Sequence, residues 1–258
     1  MDNVFFNLPS FLLVLARVAS FFATLPLFSY RNIPTTHKVG IAVFLSWIIM
    51  FTIDAPTIEI NYMFFMLVIK EALVGLLIGF IAYMIVSAIQ IAGGFIDFQM
   101  GFAIANVVDP QTGAQSPLMG QYLYTLALLF LLAVDGHHLL LDGVVNSYHF
   151  VPLLEVWIPF GNENLIEFVV RAFNSMFLIA FQMSIPLVGS LFLVDIALGI
   201  MAKTVPQLNI FVVGYPIKIA LSFIILFLIM GLMFMVVEQL FEMMLFTMRG
   251  LMDLIGGL

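Results

Sequence analysis

The sequence lacks cysteine and common catalytic motifs, and it is poor in charge. The absence of cysteine excludes disulfides, thiolate zinc sites and cysteine nucleophiles. The patterns GxSxG, HExxH, GxxxxGKS/T and GxGxxG are all missing. With 8 Lys and Arg residues and a formal net charge of -7, the chain has no basic cluster to neutralise nucleic-acid phosphates. From these absences we predict a protein that is not an enzyme, holds no cofactor and does not bind nucleic acid.

Apolar residues dominate what is present. They make up 64% of the 258 residues and charged residues 9%, whereas soluble domains are roughly half apolar and a quarter charged. Uncharged apolar runs at 72–96, 172–194 and 219–237 approach the ~20 residues that cross a bilayer core. Weaker candidates lie at 4–28, 39–53 and 118–134. We predict an all-α, polytopic helical membrane protein with one membrane domain over residues 1–258.

The charged loops indicate a topology. Arg31 with Lys38, and Lys203 with Lys218, predict cytoplasmic loops by the positive-inside bias, and acidic residues occupy the alternate loops. This order requires the segment 143–157, which contains a proline, to enter the membrane without crossing it. The first apolar segment has no basic region before it, and we expect a mature helix there rather than a signal peptide.

Two polar segments interrupt the apolar helices, at 97–117 and 203–218. In the first, Pro110 and Pro117 oppose continuous helix and Gly113 favours a turn; the second is bracketed by Pro206 and Pro216. Lipid cannot satisfy free backbone N–H and C=O groups at membrane depth. Each segment must therefore lie in the headgroups, against protein or along a wet cavity.

A stripe of small and polar residues follows one face of a predicted helix over 71–101. Small residues allow close helix approach, and charged residues are too costly to face lipid. The stripe is interpreted either as a helix-packing seam or as the lining of a hydrated path. Its members are Glu71, Gly75, Gly79, Ala82, Gln90, Gly93, Asp97 and Gly101.

Isolated charges and histidines are candidate site residues. Arg17 and Asp195 lie within or at the end of apolar segments, where each costs about 2.5–3.5 kcal/mol on insertion scales. We expect them to be buried in ion pairs or to snorkel, with contact to a transported species as the alternative. His137 and His138 are adjacent and expected to point in different directions on a helix, so no metal site is predicted.

Several short motifs occur in a fixed order along most of the chain. They are Leu15-Ala16-Arg17-Val18, Thr24-Leu25-Pro26-Leu27-Phe28, Gln99-Met100-Gly101-Phe102, Val108-Asp109-Pro110, Asp135-Gly136-His137, Val205-Pro206-Gln207-Leu208-Asn209-Ile210-Phe211 and Gly214-Tyr215-Pro216. Their order resembles the FliR family of flagellar type III export-gate proteins, which has SpaR, YscT and HrcT types in virulence systems. Asp135 precedes Gly136 where a neutral residue is more usual in that family.

The resemblance implies a single-copy gate subunit in the bacterial inner membrane, at the flagellar basal body. It implies a fold like a fusion of FliP and FliQ, with FliP-like and FliQ-like partners, an FlhB-like component and unfolded flagellar proteins as cargo. It also implies a plug loop at 103–118 that closes the export path. The plug loop and its approach comprise Gln99, Met100, Gly101, Phe102, Ala103, Ile104, Val107, Val108, Asp109, Pro110, Gly113 and Pro117.

Further expectations concern partners. The 17 Met and 28 Phe residues, together with the stripe, offer more interface than one chain can bury, which predicts a hetero-oligomer. The second polar segment is expected to dock another export component. A secondary transporter for a small solute is the competing class, although its inverted repeats are not visible. The docking residues are Pro206, Gln207, Leu208, Asn209, Phe211, Gly214 and Pro216.

Overall fold

The computed structural model describes residues 8–28, 33–53, 58–102, 117–155, 163–205, 207 and 209–256. Over these residues the chain is helical and contains no strand. In chain order, the helices are α1 (Leu8–Thr24), α2 (Thr35–Thr52), α3 (Tyr62–Met100), α4 (Leu118–Ala133), α5 (Gly136–Phe150), α6 (Glu163–Thr204) and α7 (Ile210–Gly256).

Four helical segments are long and apolar enough to cross a membrane. They are Thr35–Thr52, Tyr62–Met100, Glu163–Thr204 and Val212–Gly256. The pair α4 and α5 qualifies as a fifth, broken segment with a bend of 76°. The prediction of an all-α polytopic membrane protein is therefore confirmed, and the three strongest apolar runs lie inside α3, α6 and α7.

These three helices are longer than the sequence predicted, because they continue through polar positions. At 1.5 Å per residue, the 39 residues of α3 extend about 58 Å, roughly twice the thickness of a hydrocarbon core. The predicted first interruption is wrong at its start, since α3 includes Asp97 and ends only at Met100. The predicted second interruption is wrong at its end, because α7 begins at Ile210 and contains Pro216. Pro216 is the seventh residue of α7, and because it has no N–H, one internal hydrogen bond to the Val212 carbonyl oxygen is lost.

The bend between α4 and α5 occurs at two residues. Asp135 has φ 56°, in the left-handed region, and the backbone N–H of Val134 donates to the Phe130 carbonyl oxygen to close α4. Helix α5 then ends at Phe150, two residues before Pro152, because a proline disfavours helical backbone at the residue that precedes it.

The chain divides into two compact units. The first contains residues 1–85, 135–173 and 242–258, and the second contains 86–134 and 174–241. Leu13, Val14 and Val18 of α1 are fully buried in the first unit, and Ile89 and Ile96 of α3 are fully buried in the second. Each unit thus has an apolar core of its own, and the assignment of 1–258 to a single membrane domain stays a prediction.

Burial differs strongly among the long helices. The most apolar window of α3 is 61% buried inside the chain, whereas those of α6 and α7 are each 17% buried. Phe227 is 82% exposed and Leu228 is 74% exposed on α7. Because such surfaces are unfavourable in water, α6 and α7 require lipid or protein around them.

Candidate gate site

A buried charge cluster joins α1 and α3 to the end of α5. The Arg17 guanidinium donates from Nε to Oε2 of Glu71 at 2.6 Å and from Nη2 to Oε1 at 2.8 Å. Lys70 donates to the same carboxylate at 2.5 Å. Arg17 and Glu71 have no exposed surface and Lys70 retains 3%. Arg17 is therefore paired inside the chain, in agreement with the pairing interpretation.

Carbonyl groups balance the second cation of this cluster. Arg17 also donates to the Val151 carbonyl oxygen at 2.8 Å, and Lys70 donates to that of Pro152 at 2.7 Å. These carbonyls follow the end of α5, where a helix leaves oxygens without internal donors and carries partial negative charge. The carbonyl oxygens thus offset the positive charge that the single carboxylate leaves unbalanced.

The rest of the Arg17 side chain is also enclosed. Its Nη1 donates to Ser147 Oγ at 2.9 Å, and its Cζ lies 4.0 Å from the centroid of the Tyr148 ring. A guanidinium can satisfy its planar fork and stack on an aromatic face at the same time, which lysine cannot. The position is therefore specific for arginine.

The first glycines of the stripe lie against α1. A Cβ added at Gly75 would overlap the carbonyl oxygen of Arg17, and one added at Gly79 would lie 2.8 Å from that of Phe21. Both positions are buried within the chain. These glycines pack helix on helix inside the protein, so the expectation that this part of the stripe serves a partner is wrong.

The later stripe residues contact α4. A Cβ at Gly93 would overlap the backbone of Gly120, and one at Gly120 would lie 3.0 Å from the Gln90 carbonyl oxygen. Both carboxylate oxygens of Asp97 lie 3.1 Å from the Met119 backbone nitrogen, which donates to them. The N-cap of α4 is Pro117, which has no side chain able to accept, so Asp97 supplies the cap from α3.

A second polar cluster connects α3, α6 and α7. Gln99 Nε2 donates to Asp195 Oδ2 at 2.8 Å, and Lys218 Nζ lies 2.8 Å from Oδ1 of the same carboxylate. Asp195 keeps 40% of its side chain exposed, so its expected burial is only partial. We call Gln99, Asp195 and Lys218 the latch cluster.

Helix α3 ends beside the latch cluster in a sharp turn. Gly101 has φ 87°, which a residue with a Cβ adopts only with strain, and its N–H donates to the Phe98 carbonyl oxygen at 3.2 Å. A Cβ on Gly101 would also lie 2.8 Å from Cδ1 of Tyr215. The start of the predicted plug loop is thus placed by both the backbone and α7.

Most of the predicted plug loop lies outside the described residues. This applies to Ala103, Ile104, Val107, Val108, Asp109, Pro110 and Gly113. Met100 is buried and Phe102 is half-buried at one end, and Pro117 lies against Gly94 at the other.

The predicted docking segment is described only in part. Pro206, Leu208 and the Phe211 side chain lie outside the described residues. Gln207 is exposed, whereas Gly214 is buried within α7. Asn209 precedes α7, and its carbonyl oxygen accepts from the Val212 backbone N–H at 3.1 Å. An exposed connection between α6 and α7 is therefore present at Gln207.

Although adjacent residues of a helix point in different directions, the rings of His137 and His138 meet. Their ring centroids lie 4.2 Å apart with an angle of 36° between the ring planes. Neighbouring Cα atoms are about 3.8 Å apart, and suitable rotamers let two long side chains meet despite their different directions from the helix axis.

The sequence analysis did not predict Lys70 or Lys218 as members of a polar cluster. It used Lys218 only as an indicator of topology. Their signals were the adjacency of Lys70 to Glu71 and the presence of single cations in apolar helices. Ser147 and Tyr148 gave no comparable signal, because hydroxyl and aromatic residues are common in helices of this kind.

A family profile described as Bacterial export proteins, family 1, matches residues 8–244. The chain belongs to this family. It is 55% identical to the flagellar biosynthetic protein FliR of Bacillus subtilis over 257 residues, which cover 99% of each chain. The resemblance drawn from the short motifs is therefore confirmed.

More distant relatives include both flagellar and virulence proteins. The flagellar biosynthetic protein FliR of Escherichia coli is 29% identical over 229 residues, covering 88% of this chain and 87% of the relative. The Yop proteins translocation protein T of Yersinia pestis is 31% identical over 221 residues, covering 84% of each. Similarity thus extends over most of the chain in both branches.

Proposed function

We propose that this chain is a structural, non-catalytic subunit of the flagellar type III protein export gate in the bacterial inner membrane. The 55% identity to FliR of Bacillus subtilis over 99% of both chains carries the proposal. The Yersinia pestis protein is 31% identical and the Escherichia coli FliR 29%, so the support for the flagellar branch comes from the Bacillus subtilis relative. Unfolded flagellar proteins are the cargo of the path that this subunit helps to form.

Complementation tests this function. Expression of the chain in Bacillus subtilis lacking its own FliR should restore swimming and the release of flagellin into the medium. The same chain should not restore Yop secretion to Yersinia lacking translocation protein T. Membrane-inserted chain that leaves the Bacillus strain non-motile would contradict the flagellar assignment.

We further propose that the chain assembles with FliP-like and FliQ-like subunits and contacts an FlhB-like component. The exposed apolar faces of α6 and α7 support this, since those windows are only 17% buried within the chain. Affinity capture of the chain from detergent extracts, followed by mass spectrometry, should identify these partners as components of the flagellar basal body. A small-solute transporter would instead be recovered alone or as a homo-oligomer.

Within the gate, we propose that the segment 103–118 closes the path at rest. Ile104, Val107 and Val108 supply apolar bulk that can exclude water from a narrow channel. The segment follows Phe102, and the residue before it, Gly101, lies against Tyr215 and near the latch cluster, which supports an anchored base for the loop. A closing loop needs such an anchored base together with freedom to move.

Loop shortening tests the closing role. Deletion of residues 111–115 should raise the permeability of cells that express the whole gate, measured by conductance or by uptake of a small solute. Gln115→Ala keeps the loop length and should change little. If the segment is an ordinary surface loop, the deletion should cause no leak. The absence of conductance in the deletion variant, in an assembled gate, would therefore contradict the closing role.

A further inference from the structure

The start of α5 brings together three side chains that commonly bind metals. One potential ligand atom from each of Asp135, His137 and His138 lies within 4.8 Å of the other two. The cluster is compact because Asp135 turns the chain in a left-handed conformation and the His138 backbone N–H donates to the Asp135 carbonyl oxygen at 3.0 Å. These residues have no part in the gate proposed above.

A separate observation shows that one of these imidazoles lacks a partner. His137 Nδ1 is buried, and within the described part of the chain it is the one buried side-chain nitrogen or oxygen without a hydrogen bond. Buried polar atoms are nearly always satisfied, and a bound water or ion is one physical explanation for an exception. His138 does not supply the missing bond, although the centroids of the two rings lie only 4.2 Å apart.

We propose that Asp135, His137 and His138 form a binding site for a divalent transition-metal ion, of which Zn²⁺ fits best. Two imidazoles and one carboxylate, with water in the fourth position, match the nitrogen and oxygen ligands that zinc takes in tetrahedral sites. Ligand atoms around one Zn²⁺ lie about 3.3 Å apart, from bond lengths of about 2.0 Å. Small side-chain rotations therefore close the site from its present spacing.

The chemistry around the site distinguishes it from a chance group of surface residues. A carboxylate beside two imidazoles offsets part of the charge of a divalent cation, and a metal bound to a ring nitrogen needs no hydrogen-bond donor there. With no cysteine in the chain, soft thiolate ligands do not compete for the ion. Metal binding would stabilise the first turn of α5.

The test uses the full-length chain in nanodiscs, purified with a tag that contains no histidine. Titration with ZnCl₂ against a chromogenic chelator should show one saturable site per chain. CoCl₂ should give the visible absorption bands of tetrahedral Co²⁺, and excess Zn²⁺ should abolish them. Zinc should also raise the apparent Tm, because a ligand that binds only the folded state stabilises it.

Two single variants and a matched control complete the experiment. Asp135→Asn and His138→Gln should each weaken Zn²⁺ binding at least ten-fold and remove the Co²⁺ bands. His149→Gln removes an imidazole from the same helix outside the cluster and should bind as the wild type does. Absence of saturable binding by the wild type, or equal loss in the His149 variant, would overturn the proposal. Circular dichroism of each variant without metal confirms that binding is compared between folded proteins.

Discussion

Arg17 of α1 and Glu71 of α3 form a bidentate ion pair in which neither side chain is exposed. The two hydrogen bonds measure 2.6 Å and 2.8 Å. The guanidinium also binds Ser147 and the Val151 carbonyl oxygen, so one side chain links three parts of the first compact unit. A buried pair with all its polar atoms satisfied restricts how these helices pack.

Removal of one partner from this pair should be severe. Arg17→Met leaves Glu71 with Lys70 alone and frees the acceptors at Ser147 and Val151. Loss of one partner of a buried pair typically costs about 3–5 kcal/mol. Chemical unfolding in mixed micelles measures the decrease in the free energy of unfolding. The yield of monodisperse protein is a second measure of the same defect.

The exposed pair Glu167 and Arg171 on α6 provides the control. Their side chains are 61% and 75% exposed. Exposed pairs contribute about 0–1 kcal/mol, so Arg171→Met should remain close to the wild type. Equal destabilisation by the two substitutions would show that the Arg17 pair has no special structural role.

Glycine substitutions should separate close helix packing from helix propensity. Gly75→Ala places a methyl group into the Arg17 carbonyl oxygen, and Gly79→Leu adds a larger side chain against Phe21 and Thr24. Overpacking of this kind costs about 1–3 kcal/mol or more. Thermal unfolding should show the loss, and Gly79→Leu should reduce motility because the subunit itself misfolds.

Gly199 of α6 is the matched control, since nothing lies within 4 Å of an added Cβ there. Gly199→Ala should be neutral or stabilise by up to about 1 kcal/mol, because alanine favours a helix. Recovery of fully stable Gly75→Ala protein would contradict the observed approach of α1 and α3.

The helix cap supplied by Asp97 predicts a difference between two substitutions. Asp97→Leu leaves the buried Met119 N–H without an acceptor, at a cost of about 1–3 kcal/mol. Asp97→Asn retains an acceptor oxygen and should lose less. Hydrogen exchange at Met119 measures the effect at the cap, and similar exchange in the two variants would contradict a capping role.

The latch cluster should affect gating if the segment 103–118 closes the path. Asp195→Leu removes the acceptor that Gln99 and Lys218 share, which loosens the end of α3 immediately before the loop. Assembled gates with this variant should pass small solutes more readily than wild-type gates. Conductance and dye-uptake measurements test this expectation.

Glu167→Gln controls for the loss of one acidic group on α6. Glu167 is 61% exposed and pairs only with Arg171 among the ion pairs of the described residues. The Glu167→Gln variant should leave the permeability of the gate unchanged. A tight gate with Asp195→Leu, in complexes of normal composition, would remove the latch cluster from the gating mechanism.

The connection between α6 and α7 should support docking of another export component. Phe211→Asp introduces charge four residues after the exposed Gln207, and we expect reduced secretion with an intact core complex. Phe211→Leu keeps an apolar side chain and should secrete normally. Flagellin in the medium and the composition of captured complexes are the two measurements; normal secretion by Phe211→Asp would end the docking proposal.

The sequence by itself determined the helical membrane class, because long uncharged apolar runs have few other stable forms. It also determined the family, through the order of short motifs, and it marked Arg17 as a charge that must be paired, snorkel or contact a transported species. Helix ends were less accurate, since Asp97 and Pro216 lie inside helices. Polar residues lower the local preference for a membrane helix, but packing and caps from other helices outweigh that preference.

Only the tertiary structure decided which partners meet. Arg17 and Glu71 are separated by 54 residues, and Gln99 and Asp195 by 96, so no local pattern joins them. The stripe on α3 was visible in the sequence, but its contacts depend on how α1 and α4 pack against α3 in the folded chain. Likewise, the His137 and His138 rings meet because of their rotamers, which three-dimensional packing sets and sequence spacing does not.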